Sequence, residues 1–238
     1  RTRPSRKCNI RLPDSYKNKA GSLPSANGGF TPAAANIWSP DLYKWETLPD
    51  WTPEHGPDTI PKGSRQCILC KDPPCDCIKT KIRRSRPRIV KTMNGMGEGV
   101  VAGRDYQADE ILGELTGMLA PLGKYEDGWA AVLMRDDLPH SKGKWVPFCL
   151  VYPRHIGSWV RKVNHSCEPN CLFQSMPVSG RWRVMLISIK PIKRGEWILV
   201  SYGEEYWKTA AKEGEKCLCN TQNCISKGGN LSQEGSYL

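Results

Sequence analysis

The stretch from Arg161 to Cys171 constrains this chain more than any other. It reads Arg-Lys-Val-Asn-His-Ser-Cys-Glu-Pro-Asn-Cys, so a polar Asn-His-Ser triplet lies between an apolar residue and a cysteine. Pro169 and Asn170 then favour a turn. Farther along the chain, Tyr202 follows an apolar run in Val-Ser-Tyr-Gly. Three more cysteines come after it: Cys217, Cys219 and Cys224. The residues able to carry chemistry are therefore concentrated in the C-terminal half.

These motifs resemble the signatures of the SET-domain protein lysine methyltransferases, which are R-F-x-N-H-S-C-x-P-N, a late D-Y-G and a post-SET C-x-C-x4-C. The resemblance covers roughly residues 89–226, and three motifs in the right order make a chance match improbable. It implies a mainly β fold, the SET domain, in which small β-sheets surround a pseudoknot. A short cysteine-rich pre-SET-like segment would precede this domain, and a post-SET zinc tail would follow it.

The resemblance also implies an activity, which is transfer of a methyl group from S-adenosylmethionine to a lysine side chain. A histone tail is the expected substrate, and a nuclear, chromatin-associated location follows from it. Tyr202 matches the catalytic tyrosine of the family, although a tyrosine at the end of a strand can also be a packed core residue. The cofactor is expected to bind at the matching positions: Gly97, Glu98, Arg161, Asn164, His165 and Tyr202. A Rossmann-type site is not indicated, since no G-x-G-x-x-G occurs in a βαβ pattern.

The three late cysteines suggest a metal site that they cannot complete alone. Structural zinc takes four ligands, and Cys217, Cys219 and Cys224 supply three thiolates. The resemblance implies that Cys167, from the Asn-His-Ser-Cys motif, is the fourth ligand. Such a zinc ion would hold the C-terminal tail over the active centre.

A second group of cysteines places four thiols within eleven residues: Cys67, Cys70, Cys75 and Cys77. This spacing could close a second four-thiolate zinc site, with the turn at Asp72-Pro-Pro folding its ends together. Because we expect no secretory signal, the clustered cysteines favour metal over disulfides. Relatives carry larger pre-SET modules at this position, so the segment would be a reduced version.

Positive charge is concentrated in residues 62–91. The chain has a formal net charge of +11, and this segment holds ten Lys or Arg against two Asp. The segment could be a solvated connector. It could also contact phosphates, giving sequence-independent contact with nucleosomal DNA or another polyanion.

Length and composition suggest one sizeable core with smaller additions. We expect an irregular arm over residues 1–60, docked through Trp38, Tyr43, Trp45 and Trp51. The cysteine-rich, basic segment would occupy 61–88, the SET domain 89–207 and the post-SET segment 208–238. The apolar run at 129–134 could be strand or helix. No run approaches the ~18 apolar residues of a membrane span, so no membrane partner is expected.

Several positions depart from the family pattern. Leu115 and Val200 stand where relatives have aromatic residues that line the lysine channel, and Lys162 and Ser201 replace a Phe and an Asp. These departures keep two alternatives open: a catalytically weak SET-fold scaffold that binds chromatin, and a methyltransferase of a non-histone protein. A zinc hydrolase is not indicated, because no H-E-x-x-H or histidine-rich open site occurs.

Overall fold

In a computed structural model the chain is mainly β-structure, and the described residues include one α-helix. The structure describes residues 31–39, 43, 45, 56–60, 67–70, 75–82, 87–93 and 95–227. The predicted mainly β class is therefore confirmed. Among the described residues there is no helix with the length and apolar character needed to span a lipid bilayer.

Twelve strands and one helix make up the regular structure of the described residues. In chain order they are β1 Thr31–Pro32, β2 Arg88–Lys91, β3 Glu98–Val101, β4 Ile111–Leu115, β5 Met118–Ala120, β6 Ala131–Arg135, β7 Val146–Tyr152, β8 Ile156–Gly157, β9 Asn164–His165, β10 Cys171–Val178, β11 Arg181–Ser188, β12 Trp197–Val200 and α1 Glu204–Lys212. The strands form four small sheets, in the orders β1-β8, β10-β11-β4, β2-β3-β12-β9 and β5-β7-β6. Short helical turns occur at Ile78–Ile82, Pro139–Ser141 and Trp159–Lys162.

The chain divides into two compact units, each assembled from separated stretches. The described residues of the first unit fall within 1–84, 113–161 and 174–185, and those of the second within 85–112, 162–173 and 186–238. The linear domain boundaries given above stay a prediction.

The first unit is organised around strand β7. This strand pairs antiparallel with β5 on one side and with β6 on the other. Its sequence, Val-Pro-Phe-Cys-Leu-Val-Tyr, is apolar almost throughout, as a central strand requires, and its last five residues are buried. The apolar run at 129–134, which could not be assigned from sequence, contributes to β6.

The N-terminal arm is bound to the first unit by backbone hydrogen bonds. Strand β1 pairs in parallel with β8, and Ile37 exchanges bonds with Gly117 and Leu119 at 2.9 and 2.7 Å. A Cβ at Gly117 would lie 2.5 Å from the carbonyl oxygen of Tyr152, so only glycine allows this approach. Trp38 and Tyr43 are buried, as expected for aromatic residues that dock the arm. Trp51 lies outside the described residues.

The second unit contains the four-stranded sheet β2-β3-β12-β9. Strands β2 and β3 form an antiparallel pair, and β12 lies antiparallel to β3 but parallel to β9. Val100, Ile198 and Val200 bury their side chains completely. The sheet thus brings β9, which carries Asn164 and His165, beside the strand that leads to Tyr202.

A buried ion pair crosses the interior of the first unit. Arg183 Nη1 donates to both carboxylate oxygens of Glu114, at 2.8 and 2.9 Å, and its Nε donates to the carbonyl of Val178. Both charged side chains are more than nine-tenths buried. Removing one partner would leave the other charge in a poorly solvated place.

We expect Arg183→Met to lower the free energy of unfolding by about 3–5 kcal/mol, because it removes the guanidinium that pairs with the buried Glu114 carboxylate. Lys208→Gln is the matched control. It breaks an exposed pair with Glu204 and Glu205, which should cost less than about 1 kcal/mol. Denaturant unfolding of both variants measures the difference. Equal losses would contradict the prediction.

Candidate functional site

The residues of the Asn-His-Ser-Cys motif meet the Tyr202 segment through strand pairing. Asn164 and His165 in β9 pair in parallel with Leu199 and Val200 in β12. One residue later, the Ser166 amide donates to the carbonyl of Val200 at 2.9 Å. His165 and Tyr202 are thirty-seven positions apart in the sequence, yet they are neighbours in the second unit.

Asn170, three residues after Cys167, holds strand β12 through its side-chain amide. Its Nδ2 donates to the carbonyl of Trp197 at 2.7 Å, and its Oδ1 accepts from the Leu199 amide at 2.9 Å. From the sequence, Asn170 was expected in a turn and as the last residue of the family signature. Neither pattern predicted its hydrogen bonds to β12.

Tyr202 is held at two points. Its amide donates to Nδ1 of His165 at 3.1 Å, and its hydroxyl donates to the carbonyl of Val163 at 3.0 Å. The residue nevertheless stays 39% exposed. Burial of the hydroxyl raises the pKa of Tyr202 to about 12, so the phenol keeps its proton at neutral pH.

His165 is buried and connects Tyr202 with the late cysteines. Burial lowers the pKa of His165 to about 4, so the ring is neutral. Since Nδ1 accepts the Tyr202 amide, the proton belongs on Nε2, which lies 3.4 Å from Cys167 Sγ. The ring also contacts Tyr202 and Trp207, at centroid distances of 5.4 and 4.8 Å.

The glycine turn between β2 and β3 lies beside Asn164. Asn164 Nδ2 donates to the carbonyl of Glu98 at 3.1 Å, and the Glu98 carboxylate forms an ion pair with Lys162. Gly97 has a φ of +76° with nothing within 4 Å of a Cβ placed there. The backbone at Gly97 is thus open to a ligand, and its positive φ favours glycine.

Arg161, another predicted cofactor residue, belongs to the first unit. Its guanidinium donates to the carbonyls of Pro153 and Arg154 at 2.8 and 2.9 Å and lies 4.8 Å from the ring centre of Trp129. The structure thus brings Glu98, Asn164, His165 and Tyr202 into contact within the second unit. The cofactor role of all these residues stays a prediction.

The two residues that replace channel aromatics are both buried. Leu115 is in the first unit and Val200 in the second. Their effect on a lysine channel also stays a prediction.

The four cysteines of the predicted post-SET site converge. The sulfur atoms of Cys167, Cys217, Cys219 and Cys224 all lie within 4.8 Å of one another, and those of Cys167 and Cys217 are 3.8 Å apart. Tetrahedral zinc with bonds of ~2.3 Å requires sulfur separations of about 3.8 Å. Burial opposes ionisation of Cys219, but hydrogen bonds from Cys167 and Thr221 lower its pKa overall. Burial raises the pKa of Cys167 and Cys217, so it is the convergence of the four sulfur atoms that suits zinc.

Helix α1 connects this cysteine group with Tyr202. Trp207 and Ala210 on α1 pack against the cysteines, and Trp207 also contacts His165. Farther on, the Ile225 amide donates to Cys167 Sγ at 3.4 Å. The sequence motifs predicted neither α1 nor a role for Trp207. The spacing of Trp207 and Ala210, three residues apart, was the available signal of a helix face.

The second cysteine group also converges, within the first unit. The sulfur atoms of Cys67, Cys70, Cys75 and Cys77 lie within 4.8 Å of one another. The strands β10 and β11 and the turn between them position the segment, since Ile68 donates to Pro177 O at 2.8 Å and Ile78 donates to Ser179 Oγ at 3.1 Å. The predicted turn at Asp72-Pro-Pro lies outside the described residues. Both cysteine groups can therefore hold a metal ion.

Comparison with known families identifies the central part of the chain, because the SET domain family matches residues 97–203. The chain contains a SET domain. The resemblance to SET domains inferred from the motifs is confirmed for residues 97–203, and the match ends at Gly203, the residue after Tyr202.

Two similar proteins match most of the chain, and one of them is named for a SET domain. A SET domain-containing protein of Phaeosphaeria nodorum is 28% identical over 192 residues, which cover 75% of this chain and 29% of that protein. An H3 lysine-36 specific histone-lysine N-methyltransferase of Candida albicans is 24% identical over 193 residues, covering 77% of this chain and 22% of that protein. The chain thus spans less than a third of either relative.

Among solved structures, the chain is similar to a humanized mutant of the Chaetomium thermophilum Polycomb Repressive Complex 2 bound to the inhibitor GSK126. The sequences are 24% identical and the TM-score is 0.41, with coverage of 51% of this chain and 15% of that chain.

We expect His165→Phe to release the Tyr202 segment of the SET domain. Phenylalanine keeps the ring contacts but removes the Nδ1 acceptor, so the Tyr202 amide should exchange with solvent roughly tenfold faster, as loss of one hydrogen bond implies. Tyr206→Phe is the control, because it alters a ring that touches Tyr202 but leaves this hydrogen bond intact. Hydrogen exchange followed by NMR measures both variants. Unchanged exchange in His165→Phe would show that the imidazole does not hold Tyr202.

Proposed function

We propose that this chain is a protein-lysine N-methyltransferase that uses S-adenosylmethionine and acts on a histone. The observation that carries the proposal is the arrangement of Tyr202 within the SET domain. The tyrosine follows the last strand of a small sheet, and both its amide and its hydroxyl are fixed by the segment that contains the Asn-His-Ser-Cys motif. The names of the similar proteins support the same activity.

The proposed cofactor would be held mainly by backbone groups. The turn at Gly97–Glu98 offers open backbone, and Asn164 already bonds to the Glu98 carbonyl. When bound, S-adenosylmethionine would supply a methyl group that an amine can take from its positively charged sulfur, which leaves as a neutral thioether.

Tyr202 would orient the lysine amine and would not act as its base. Its hydroxyl proton is directed to the Val163 carbonyl, which leaves oxygen lone pairs free to accept a hydrogen bond from an amine. Because its pKa is raised to about 12, the phenol does not ionise at neutral pH. Positioning of this kind accelerates a displacement without covalent participation of the protein.

We expect Tyr202→Phe to reduce methyl transfer by at least about a hundredfold while cofactor affinity changes only a few-fold, since the hydroxyl acts on the transition state. Tyr206→Phe is the matched control and should retain most of the activity. Mass spectrometry of histone octamers and nucleosomes incubated with S-adenosylmethionine measures the product, and calorimetry measures binding. Unchanged turnover would remove Tyr202 from the mechanism. Cofactor binding without any methylated product would favour the alternative of a catalytically weak chromatin-binding protein.

The proposal that the substrate is a histone depends on the names of the similar proteins. The H3 lysine-36 specificity belongs to the Candida protein and is not part of the proposal for this chain. The described cations of the basic segment, Lys79, Lys81, Arg88 and Lys91, are exposed. Their exposure supports contact with nucleosomal DNA and, with the histone substrate, a nuclear location. Stronger binding to nucleosomes than to octamers, lost at high salt, would support this contact.

We also propose that each cysteine group holds one zinc ion. The post-SET ion would join Cys167 to the tail through Cys217, Cys219 and Cys224, and the other would close the loop from Cys67 to Cys77. Both sets consist of four thiols, which is the donor set of structural zinc and leaves no open position for catalysis. Metal binding and folding of these segments would be coupled.

Elemental analysis should find about two zinc ions per chain, as two four-thiolate sites require. Cys219→Ser should reduce the content to about one, because only the post-SET group loses a ligand. It should also speed hydrogen exchange beyond residue 208 and weaken cofactor binding. Cys149→Ala is the control, because this buried thiol belongs to neither group, and its zinc content should stay at two. Zinc content near zero in protein purified without chelators would refute both sites.

A further inference from the structure

A cavity of about 300 Å³ lies in the first unit. Its walls come from the residues after β6, the start of β7 and the strands β10 and β11, with Ile68 at one side. None of the residues predicted to bind the cofactor or a metal lines it. The methyl-transfer chemistry therefore leaves this cavity without a role.

Two tryptophans form one wall of the cavity. Trp182 is buried and meets Trp145 edge to face, with ring centroids 5.5 Å apart and planes at 89°. Trp145 keeps 49% of its surface exposed. Its ring is thus supported from behind by a fixed neighbour and presented to solvent at the cavity. An exposed indole is the aromatic group that attracts cations most strongly.

Two carboxylates face the same space, but they differ in their partners. Asp137 accepts two hydrogen bonds from Arg135, both at 2.9 Å, and Arg135 is buried. That pair is electrically neutral. Asp136 is half-buried, and its carboxylate has no hydrogen bond or ion pair within the described part of the chain. The cavity therefore carries one uncompensated negative charge in a chain whose net charge is +11.

The combination of a supported indole and an uncompensated carboxylate is complementary to a long cationic side chain. The alkyl part can pack on Trp145 while the charged head reaches Asp136. A volume of about 300 Å³ is at the small end of ligand sites, so it suits one side chain better than a whole cofactor. At the rim, Ile68 and Gln174 are exposed and offer contacts for the neighbouring residues of a peptide.

We propose that this cavity binds a single lysine or arginine side chain of a basic polypeptide. The site would provide a second attachment point for a basic partner and performs no chemistry. Tyr202 and the cofactor residues take no part in it, so the inference does not depend on the proposed methyl transfer.

Short capped peptides with a central arginine, lysine or neutral norleucine provide the test. Each is titrated into the full chain without S-adenosylmethionine, and the tryptophan indole N–H signals are followed by NMR. We expect the arginine or lysine peptide to shift the Trp145 signal, which Trp145→Phe identifies by its loss, while the norleucine peptide does not. Whichever cationic peptide binds more tightly identifies the preferred head group.

Asp136→Asn should weaken this binding about five- to tenfold, as loss of a charge-assisted hydrogen bond implies. Asp109→Asn is the matched control. It removes one exposed carboxylate at a positive-φ position that asparagine tolerates, and binding should be unchanged. The proposal is overturned if norleucine binds as well as the cations do, or if the two variants weaken binding equally. Since no methyl transfer is measured, either result leaves the proposed function untouched.

Discussion

The second unit depends on the two hydrogen bonds that the His165 imidazole forms. Strand β9 has two residues, so its parallel pairing with β12 provides few backbone hydrogen bonds. His165 adds a directed bond from each ring nitrogen. Nδ1 accepts a hydrogen bond from the Tyr202 amide, and Nε2 donates one toward Cys167 Sγ. Because burial keeps the ring neutral, one nitrogen can accept while the other donates. A protonated imidazole could not accept the Tyr202 amide.

This arrangement makes the cysteine group part of the tyrosine site. Trp207 lies against His165 on one side and is clustered with the cysteines on the other. The Ile225 amide, from the far end of the tail, donates to the same Cys167 sulfur. A proposed zinc ion bound there would fix Cys167 and so restrain His165 and Tyr202. Folding of the tail and alignment of the tyrosine would then be coupled, which would give a closed, four-thiolate metal site a function beside the proposed active centre.

Local motifs predicted which residues come together better than they predicted the elements that hold them. The family resemblance placed the Asn-His-Ser-Cys motif with Tyr202 and Cys167 with the late cysteines, spacing alone suggested the second cysteine group, and the structure brings each of these sets together. Helix α1 was missed, since only Trp207 and Ala210 of its nine residues are buried and its apolar pattern is too sparse. The sequence of strand β6 did not decide between strand and helix, because an apolar run of that length fits a buried strand or a helix. The bonds from Asn170 and Val163 join distant segments, and no local pattern encodes them.

The pKa values of the two titratable groups beside the proposed reaction centre are shifted in opposite directions. The pKa of Tyr202 is raised to about 12 and that of His165 is lowered to about 4, both because burial disfavours the charged form. Between these limits Tyr202 keeps its proton and the His165 ring stays neutral, with both ring nitrogens already in hydrogen bonds. In the proposed reaction neither group would therefore act as a general base, and the lysine amine would have to reach Tyr202 already deprotonated. The proposed role of Tyr202, which is fixed through its amide and its hydroxyl, would then be to hold the amine in line with the methyl donor.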